Sequence, residues 1–141
     1  MEETRRAAEA GDGLAMSNLA LLYRNGQRGL EQDYAKCFEW ASKSHRAGCA
    51  SGTRILGICY LDGHGVEQHV AFGVQLNTLA AERGSAGACC ILGDLFVGGI
   101  DLPQNLDEAR YWFSKVPSCA IKDLSQAGRD RAATWLREHP A

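Results

Sequence analysis

The sequence has no long hydrophobic run and no excess of either charge. Its longest apolar runs, such as "ACCIL" at 88–92, are far shorter than the roughly 20 residues that span a bilayer. The 15 basic and 17 acidic residues are interleaved along the 141-residue chain and leave a formal net charge of −2. Because no basic stripe is available to neutralise phosphates, the sequence predicts binding neither to nucleic acid nor to an anionic membrane surface. The short apolar runs argue against insertion into a membrane.

The six cysteines lack the spacing of a disulfide framework. No CxxC motif is present, and the charged N-terminal segment "MEETRRAAEAGDG" has no apolar stretch typical of a secretory signal. We therefore expect buried free thiols and a reducing compartment, the cytoplasm or the nucleus, of which we predict the cytoplasm. The adjacent Cys89 and Cys90 are not expected to form a redox switch, since vicinal disulfides are strained.

Sustained alternation of apolar and polar residues is also absent, which argues against a β-sheet. Hydrophobic residues make up 45% of the chain and charged residues 23%, as in an ordinary globular domain with one core. The chain has an internal repeat instead. Three segments align without a gap: "NLALLYRNG" (18–26), "ILGICYLDG" (55–63) and "ILGDLFVGG" (91–99). Equivalent residues in the three copies are 37 and 36 positions apart.

Each copy has the periodicity of two helices. In copy one, apolar residues recur with a helical period up to Tyr23, and Gly26 is placed to end the helix in a left-handed conformation. The second helix is preceded by Asp33 in copy one and Asn105 in copy three, both good N-caps. Copy two has His69 there. We expect this histidine to cap poorly, so that His69→Asp stabilises the fold.

The pattern predicts a single solenoid domain over residues 1–141. "RRAAEAG" at the start matches "TLAAERG" at 78–84, and Pro117 ends the last repeat. The predicted segments are a remnant of a preceding repeat (5–11), repeat one (12–48), repeat two (49–84), repeat three (85–116) and a capping helix (121–138). The residues expected to face inward from that helix are Leu124, Ala127, Ala132, Trp135 and Leu136.

The repeated pattern "LGxxYxxGxGVxxDxxxAxxWxxxAAxxG" resembles Sel1-like repeats, relatives of the tetratricopeptide repeat. Copy two carries it as "LGICYLDGHGV" and "LAAERG", and copy three as "LGDLFVGG" and "NLDEARYWFSK". Ala20 and Asp101 stand where the family has glycine, and Leu76 where it has tryptophan. The resemblance implies an all-α fold. That fold is a right-handed α-solenoid of about three helix-turn-helix repeats plus a C-terminal capping helix.

The resemblance also implies a non-enzymatic adaptor or scaffold that binds another protein or peptide. In arrays of the tetratricopeptide type the first helices line the concave face, so the expected groove residues are those that the core does not require. They are Ser17, Leu21, Arg24 and Asn25 in copy one, Arg54, Ile58, Leu61 and Asp62 in copy two, and Cys90, Asp94 and Val97 in copy three. The alternative is a set of scattered exposed aliphatic residues without a role.

A second functional hypothesis is a regulatory or targeting segment of a longer enzyme or signalling protein. No catalytic, cofactor or metal site is predicted within the chain. The turn "DGHGVEQ" lacks the strand and the lysine of a phosphate loop. Cys59, His64 and His69 could form a metal-dependent sensor, but they are short of ligands. Cys59 also aligns with core leucines of the other copies. The sequence carries no signal for an oligomeric state.

Overall fold

The computed structural model describes residues 1–99 and 102–141, which form eight α-helices, one 3-10 turn and the loops between them. The only β-structure among these residues is one isolated bridge between Ser85 and Ile121, so the predicted all-α fold is confirmed. Asp101 lies outside the described residues. The α-helices are α1 (Glu2–Glu9), α2 (Gly13–Asn25), α3 (Tyr34–Arg46), α4 (Ala50–Asp62), α5 (Val70–Glu82), α6 (Ala86–Gly98), α7 (Leu106–Lys115) and α8 (Gln126–Glu138).

The helices stack in chain order as an α-solenoid. From α1 to α8, each helix packs against the one before it and the one after it. A hairpin of two helices cannot bury its apolar face alone, so this stacking produces the core. None of the described helices is long and apolar enough to cross a membrane. The interpretation of α1 as the remnant of a preceding repeat stays a prediction.

The helix ends follow the local signals in the sequence. Gly26, Gly63 and Gly99 have φ values of 64°, 72° and 61°, the left-handed conformation in which glycine ends a helix without a Cβ clash. The Asp33 carboxylate accepts a hydrogen bond from the Lys36 amide at 3.0 Å. The Asn105 side chain accepts one from the Glu108 amide at 3.1 Å.

The expectation that His69 caps poorly is wrong. Its Nδ1 accepts a hydrogen bond from the Phe72 amide at 3.1 Å, the same pattern as the Asp33 cap. A neutral imidazole with Nδ1 unprotonated offers a lone pair in place of a carboxylate oxygen. The ring also packs edge-on against the Phe72 ring, with centroids 6.1 Å apart. His69→Asp therefore replaces one cap with another, and the predicted gain in stability has lost its basis.

The C-terminal capping helix begins later than predicted. It starts at Gln126, where the Ser125 hydroxyl accepts a hydrogen bond from the Gly128 amide at 3.1 Å, and residues 121–125 are not helical. Residues in this stretch bond to the third repeat instead, through the Ile121 backbone and the Asp123 side chain. Ala127 was expected to face inward, but it is exposed. The four other residues predicted to face inward are buried or pack against the core.

Close packing within a repeat depends on a small residue in the first helix. A methyl group on Gly93 would lie 2.5 Å from Cε1 of Phe113, which is buried on α7. The equivalent positions in repeat one are Ala20 and Ala41, and both are fully buried. A small residue on the second helix thus accompanies the alanine on the first. This pairing explains why Ala20 departs from the family pattern.

Gly93→Ala is expected to lower the free energy of unfolding by about 1–3 kcal/mol, because the added methyl group overpacks the contact with Phe113. Equilibrium denaturation by urea measures this loss. Gly98→Ala is the matched control, since it lies on the same helix and has nothing within 4 Å of an added Cβ. We expect Gly98→Ala to be neutral or stabilising by up to about 1 kcal/mol. Equal effects of the two substitutions would contradict the packing argument.

His69→Ala is expected to lower the free energy of unfolding by about 1 kcal/mol at neutral pH, because the Phe72 amide loses its acceptor. His69→Asp should stay close to the wild type. Gln75→Ala, at an exposed position of the same helix, controls for changes in helix propensity. A His69→Ala protein as stable as the Gln75→Ala protein would show that the observed bond does not contribute.

Candidate functional site

The first helices of the three repeats form the inner face of the solenoid. Helix α2 contacts α4, and α4 contacts α6. Over the same described residues, the second helices α3, α5 and α7 make no comparable contacts with one another. Elements that converge lie at the smaller radius of a curved stack, so α2, α4 and α6 line the concave face. All eleven predicted groove residues lie on these three helices.

Five of the predicted groove residues line one cavity of about 320 Å³. They are Arg24 from α2, Ile58, Leu61 and Asp62 from α4, and Asp94 from α6. The cavity is completed by Ile91 and Leu95, which sequence reasoning missed. The repeat register assigned Leu95 to the core, because Leu95 aligns with Leu22 and Cys59 at an expected core position of the first helix. The four-residue spacing of Ile91 and Leu95 on one helical face was the available signal.

Charged side chains surround the aliphatic part of this cavity. Nη2 of Arg24 lies 3.7 Å from Oδ2 of Asp62, and Asp94 is paired with Arg131 of α8. Nε of Arg24 is buried and has no hydrogen-bond partner within residues 1–99 and 102–141. The cavity therefore combines an apolar floor with charges of both signs.

The other predicted groove residues, apart from Asn25, are buried or half-buried. Ser17 is buried, and its hydroxyl donates a hydrogen bond to the Leu14 carbonyl at 2.8 Å. Cys90 is buried too, with Nη2 of Arg131 3.1 Å from its Sγ, and burial raises the pKa of this thiol. Leu21 and Val97 are half-buried against the core. Asn25 is exposed at the end of α2.

The sequence suggested that Arg54 is a free cation on the groove wall, but the structure places it in a buried ion pair. Its side chain is 11% exposed, and Nε lies 3.2 Å from Oδ2 of Asp123 in the C-terminal segment. The same oxygen accepts hydrogen bonds from the hydroxyls of Ser51 at 2.8 Å and Ser85 at 2.7 Å. The other carboxylate oxygen accepts one from the Gly87 amide at 2.9 Å. The chain's own C-terminal segment thus occupies part of the concave face.

Asp123 and its neighbours satisfy the first amides of α6. The Ala86 amide donates to the Ile121 carbonyl at 3.1 Å, and the Gly87 amide to Asp123. The Ala88 amide donates to the Ser85 hydroxyl. Burial raises the pKa of Asp123, but the hydrogen bonds from Gly87 and Ser85 and the charge of Arg54 outweigh it. The net result is a pKa below the ordinary value, and hence a charged carboxylate at neutral pH.

The three residues of the hypothetical metal site have separate roles. Cys59 is buried, with its Sγ 3.9 Å from Sγ of Cys37. His64 stacks on Tyr34 with ring centroids 3.8 Å apart, and His69 caps α5. Among residues 1–99 and 102–141, no three His, Cys, Asp or Glu side chains are grouped to hold a metal ion.

The six cysteines are free thiols in this structure. Cys89 and Cys90 do not contact each other's sulfur. Sγ of Cys89 lies 3.5 Å from Sγ of Cys119, and Cys90 faces Arg131. Burial and the hydrogen bond with Cys119 raise the pKa of Cys89 to about 12, so this thiol is protonated at neutral pH.

The family described as "Sel1 repeat" matches the chain three times, at residues 13–49, 50–85 and 86–115. The chain belongs to the Sel1 repeat family. Sel1 repeat proteins generally mediate protein–protein interactions. The resemblance to Sel1-like repeats, which the repeated glycines and aromatic residues indicated, is therefore confirmed.

Three known proteins are similar to most of this chain, and the chain spans less than half of the length of each. The ERAD-associated E3 ubiquitin-protein ligase component HRD3B of Arabidopsis thaliana is 30% identical over 103 residues, which are 72% of this chain and 16% of that protein. A protective antigen of uropathogenic Escherichia coli with an SLR fold has a TM-score of 0.70 and 31% identity over 98% of this chain and 29% of its own. A Sel1 repeat protein from Oxalobacter formigenes has a TM-score of 0.65 and 27% identity over 85% and 44% of the two chains.

Asp123→Ala is expected to lower the free energy of unfolding at neutral pH by about 3 kcal/mol, because it leaves the buried Arg54 without its partner. Denaturation in urea measures the loss. Asp130→Ala, at an exposed position of α8, is the control and should change stability by less than about 0.5 kcal/mol.

The contribution of Asp123 has a defined pH dependence. Because its pKa is lowered in the folded state, the stability is fully present above the pKa of an unfolded aspartate, about 3.9. It is lost as the pH falls through the lower folded value. The difference in unfolding free energy between wild type and Asp123→Ala should therefore shrink below about pH 4. A difference that is constant from pH 7 to pH 3 would argue against a charged carboxylate here.

Proposed function

We propose that this Sel1 repeat chain is a non-enzymatic adaptor that binds a partner protein on its concave face. The observation that carries the proposal is the cavity between α2, α4 and α6. It combines four aliphatic side chains with Arg24, Asp62 and Asp94. Interaction surfaces often have an apolar centre and a polar rim, and this cavity has both. Arg24 adds a positive charge beside Asp62, with its Nη2 3.7 Å from Oδ2 of that residue.

The cavity favours a partner that inserts an aliphatic or aromatic side chain and a polar group. Ile58, Ile91 and Leu95 are half-buried, so a partner side chain could cover their remaining surface. Hot spots of protein interfaces are typically found where an anchor residue fills such a pocket. Asp62 and Asp94 would favour a basic group at the edge of the contact, and Arg24 an acceptor.

A second candidate function is a regulatory or targeting segment within a longer protein. The observation that favours it is the share of each relative that the chain covers, which is 16% for HRD3B and 29% for the antigen from E. coli. The two candidates share the concave face and differ in whether a catalytic domain is attached. The full-length coding sequence distinguishes them directly.

The cytoplasm is our proposed location. It is supported by cysteines whose positions do not recur by repeat and include no CxxC motif. The sulfurs of Cys89 and Cys119 lie 3.5 Å apart. An oxidising compartment would favour a bond between neighbouring thiols. Alkylation of rapidly quenched protein, followed by mass spectrometry, reports the redox state of this pair.

Ile58→Asp is expected to abolish partner binding, because a buried carboxylate would disrupt the apolar floor of the cavity. The partner is first identified by affinity purification from the native cell, and its affinity for purified variants is then measured by calorimetry. Leu106→Asp is the matched control, since Leu106 lies on the second helix α7 and is 39% exposed. We expect this control to bind as the wild type does, and both variants to keep their helical circular dichroism.

Arg54 is also among the predicted groove residues, but Arg54→Glu is unsuitable for this test. It would place two carboxylates together in a buried position beside Asp123 and destabilise the fold. If folded Ile58→Asp protein binds the identified partner as strongly as Leu106→Asp does, the cavity is not the contact.

A further inference from the structure

The C-terminal segment, residues 119–125, lies across the third repeat as an extended peptide would. The Ile121 amide donates a hydrogen bond to the Gly84 carbonyl at 3.0 Å, and the Ile121 carbonyl accepts one from the Ala86 amide at 3.1 Å. This pairing is the parallel bridge between Ser85 and Ile121. Main-chain pairing of this kind is a general way for proteins to hold an extended peptide.

Two positions after Ile121, the Asp123 side chain enters a set of converging donors. Ser51 and Arg54 come from α4, and Ser85 and the Gly87 amide come from the start of α6. None of the donors belongs to the C-terminal segment. We call these four groups the aspartate receptor.

The aspartate receptor is built into the body of the solenoid. The Ser85 hydroxyl is held as the N-cap of α6, where it accepts a hydrogen bond from the Ala88 amide at 3.1 Å, and Ser51 lies on α4. With the segment in place, Ser51 is 5% exposed and Ser85 is fully buried. Arg54 is buried to a similar degree. A cation, two hydroxyls and a helix N-terminus that point to one place form a strong site for a carboxylate. Receptor groups fixed before binding lose little conformational entropy when they bind.

The segment itself is held by few side chains. Ala120, Lys122 and Ser125 are exposed, whereas Cys119 is buried and Leu124 packs against the core. Beside the segment lies an open cavity of about 580 Å³, lined by α2, by Ser51 and Arg54, and by residues 121–125. Leu14, which is 59% exposed, lies on its far wall. A second peptide could therefore approach the aspartate receptor along the concave face.

We propose that the aspartate receptor binds a partner protein through an extended segment that carries an aliphatic residue two positions before an aspartate. Residues 119–125 are then a tethered ligand that competes with the partner for the same site. This inference rests on the proposed function, because it names the kind of segment that a protein partner presents. The partner chemistry follows from Ile121 and Asp123, the pair seated there, and from the positive charge of Arg54.

The test uses the full chain with a weakened tether. Asp123→Ala protein is titrated with a synthetic peptide of residues 119–125, and binding is followed by the NMR shift of the Gly87 amide. The control peptide has the same sequence with Asp123→Asn. We expect the aspartate peptide to bind at least about tenfold more tightly, since it restores a charge-assisted contact with Arg54. Wild-type protein should bind it at least about tenfold more weakly, because the tethered segment has a high effective concentration.

A receptor variant and a small anion provide independent readouts. Adding Ser51→Ala to Asp123→Ala should reduce the preference for the aspartate peptide, since one of its four donors is lost. Sodium formate should raise the melting temperature of Asp123→Ala protein above that in sodium chloride of equal ionic strength. Asp123→Asn protein, which keeps the side-chain shape, replaces Asp123→Ala if the latter does not fold.

The inference is overturned if the aspartate and asparagine peptides shift the Gly87 amide equally or not at all, or if formate and chloride act alike. Its failure is distinct from that of the proposed function. If Ile58→Asp abolishes partner binding, the proposed adaptor function is supported even when neither peptide binds. Conversely, peptide binding that depends on Asp123 stands even if Ile58→Asp leaves partner binding intact.

Discussion

The structure depends on one constraint: a pair of helices cannot bury its own apolar face, so each repeat must be covered by the next. First and second helices alternate along the stack, and each packs against both of its neighbours. Packing this close requires small residues where two helices approach. The contact between Gly93 and Phe113 shows the limit, since no Cβ fits between them without movement. Where the second helix carries the smaller Ala41, the first helix carries Ala20.

Much of the fold could be predicted from the sequence because the same local signals occur three times. Gly26, Gly63 and Gly99 end the first helices as predicted, and Asp33 and Asn105 begin second helices. These signals act within a few residues and need no tertiary information. His69 shows the limit of such reasoning. Cap preferences rank residue types by their average behaviour. In this structure, the cap is the Nδ1 atom of one imidazole, which accepts a hydrogen bond from the Phe72 amide.

The C-terminal segment was misread for a different reason. Residues 121–125 have apolar residues at spacings compatible with a helix, but their hydrogen bonds go to the start of α6. Such partners are more than thirty positions away in sequence, so no local pattern reveals them. The same long-range contact changes the meaning of Arg54, which reads as a groove cation in the sequence and lies in a buried ion pair in the structure. Leu95 was missed as a cavity residue for another reason. The repeat register placed it in the core with its equivalents in the other copies, but it lines the cavity.

The concave face therefore has two parts with different chemistry. Toward the C-terminal ends of the first helices lies the open cavity with Ile58 and Arg24. Toward their N-terminal ends lies the Asp123 network, which the chain itself occupies. A surface made of equivalent helices thus presents an apolar recess and a carboxylate site side by side, because the residues at equivalent positions differ between the copies.

Asp123 also affects how the molecule unfolds. In an ideal repeat array each unit touches only its nearest neighbours, and the energies of the units and their interfaces add along one dimension. Asp123, which follows the third repeat, bonds to α4 in the second repeat as well as to α6 in the third. It therefore makes a contact beyond the nearest-neighbour repeat. The C-terminal segment cannot detach without removing an interaction from the middle of the array. This cross-link favours a cooperative transition over independent fraying from the C-terminal end.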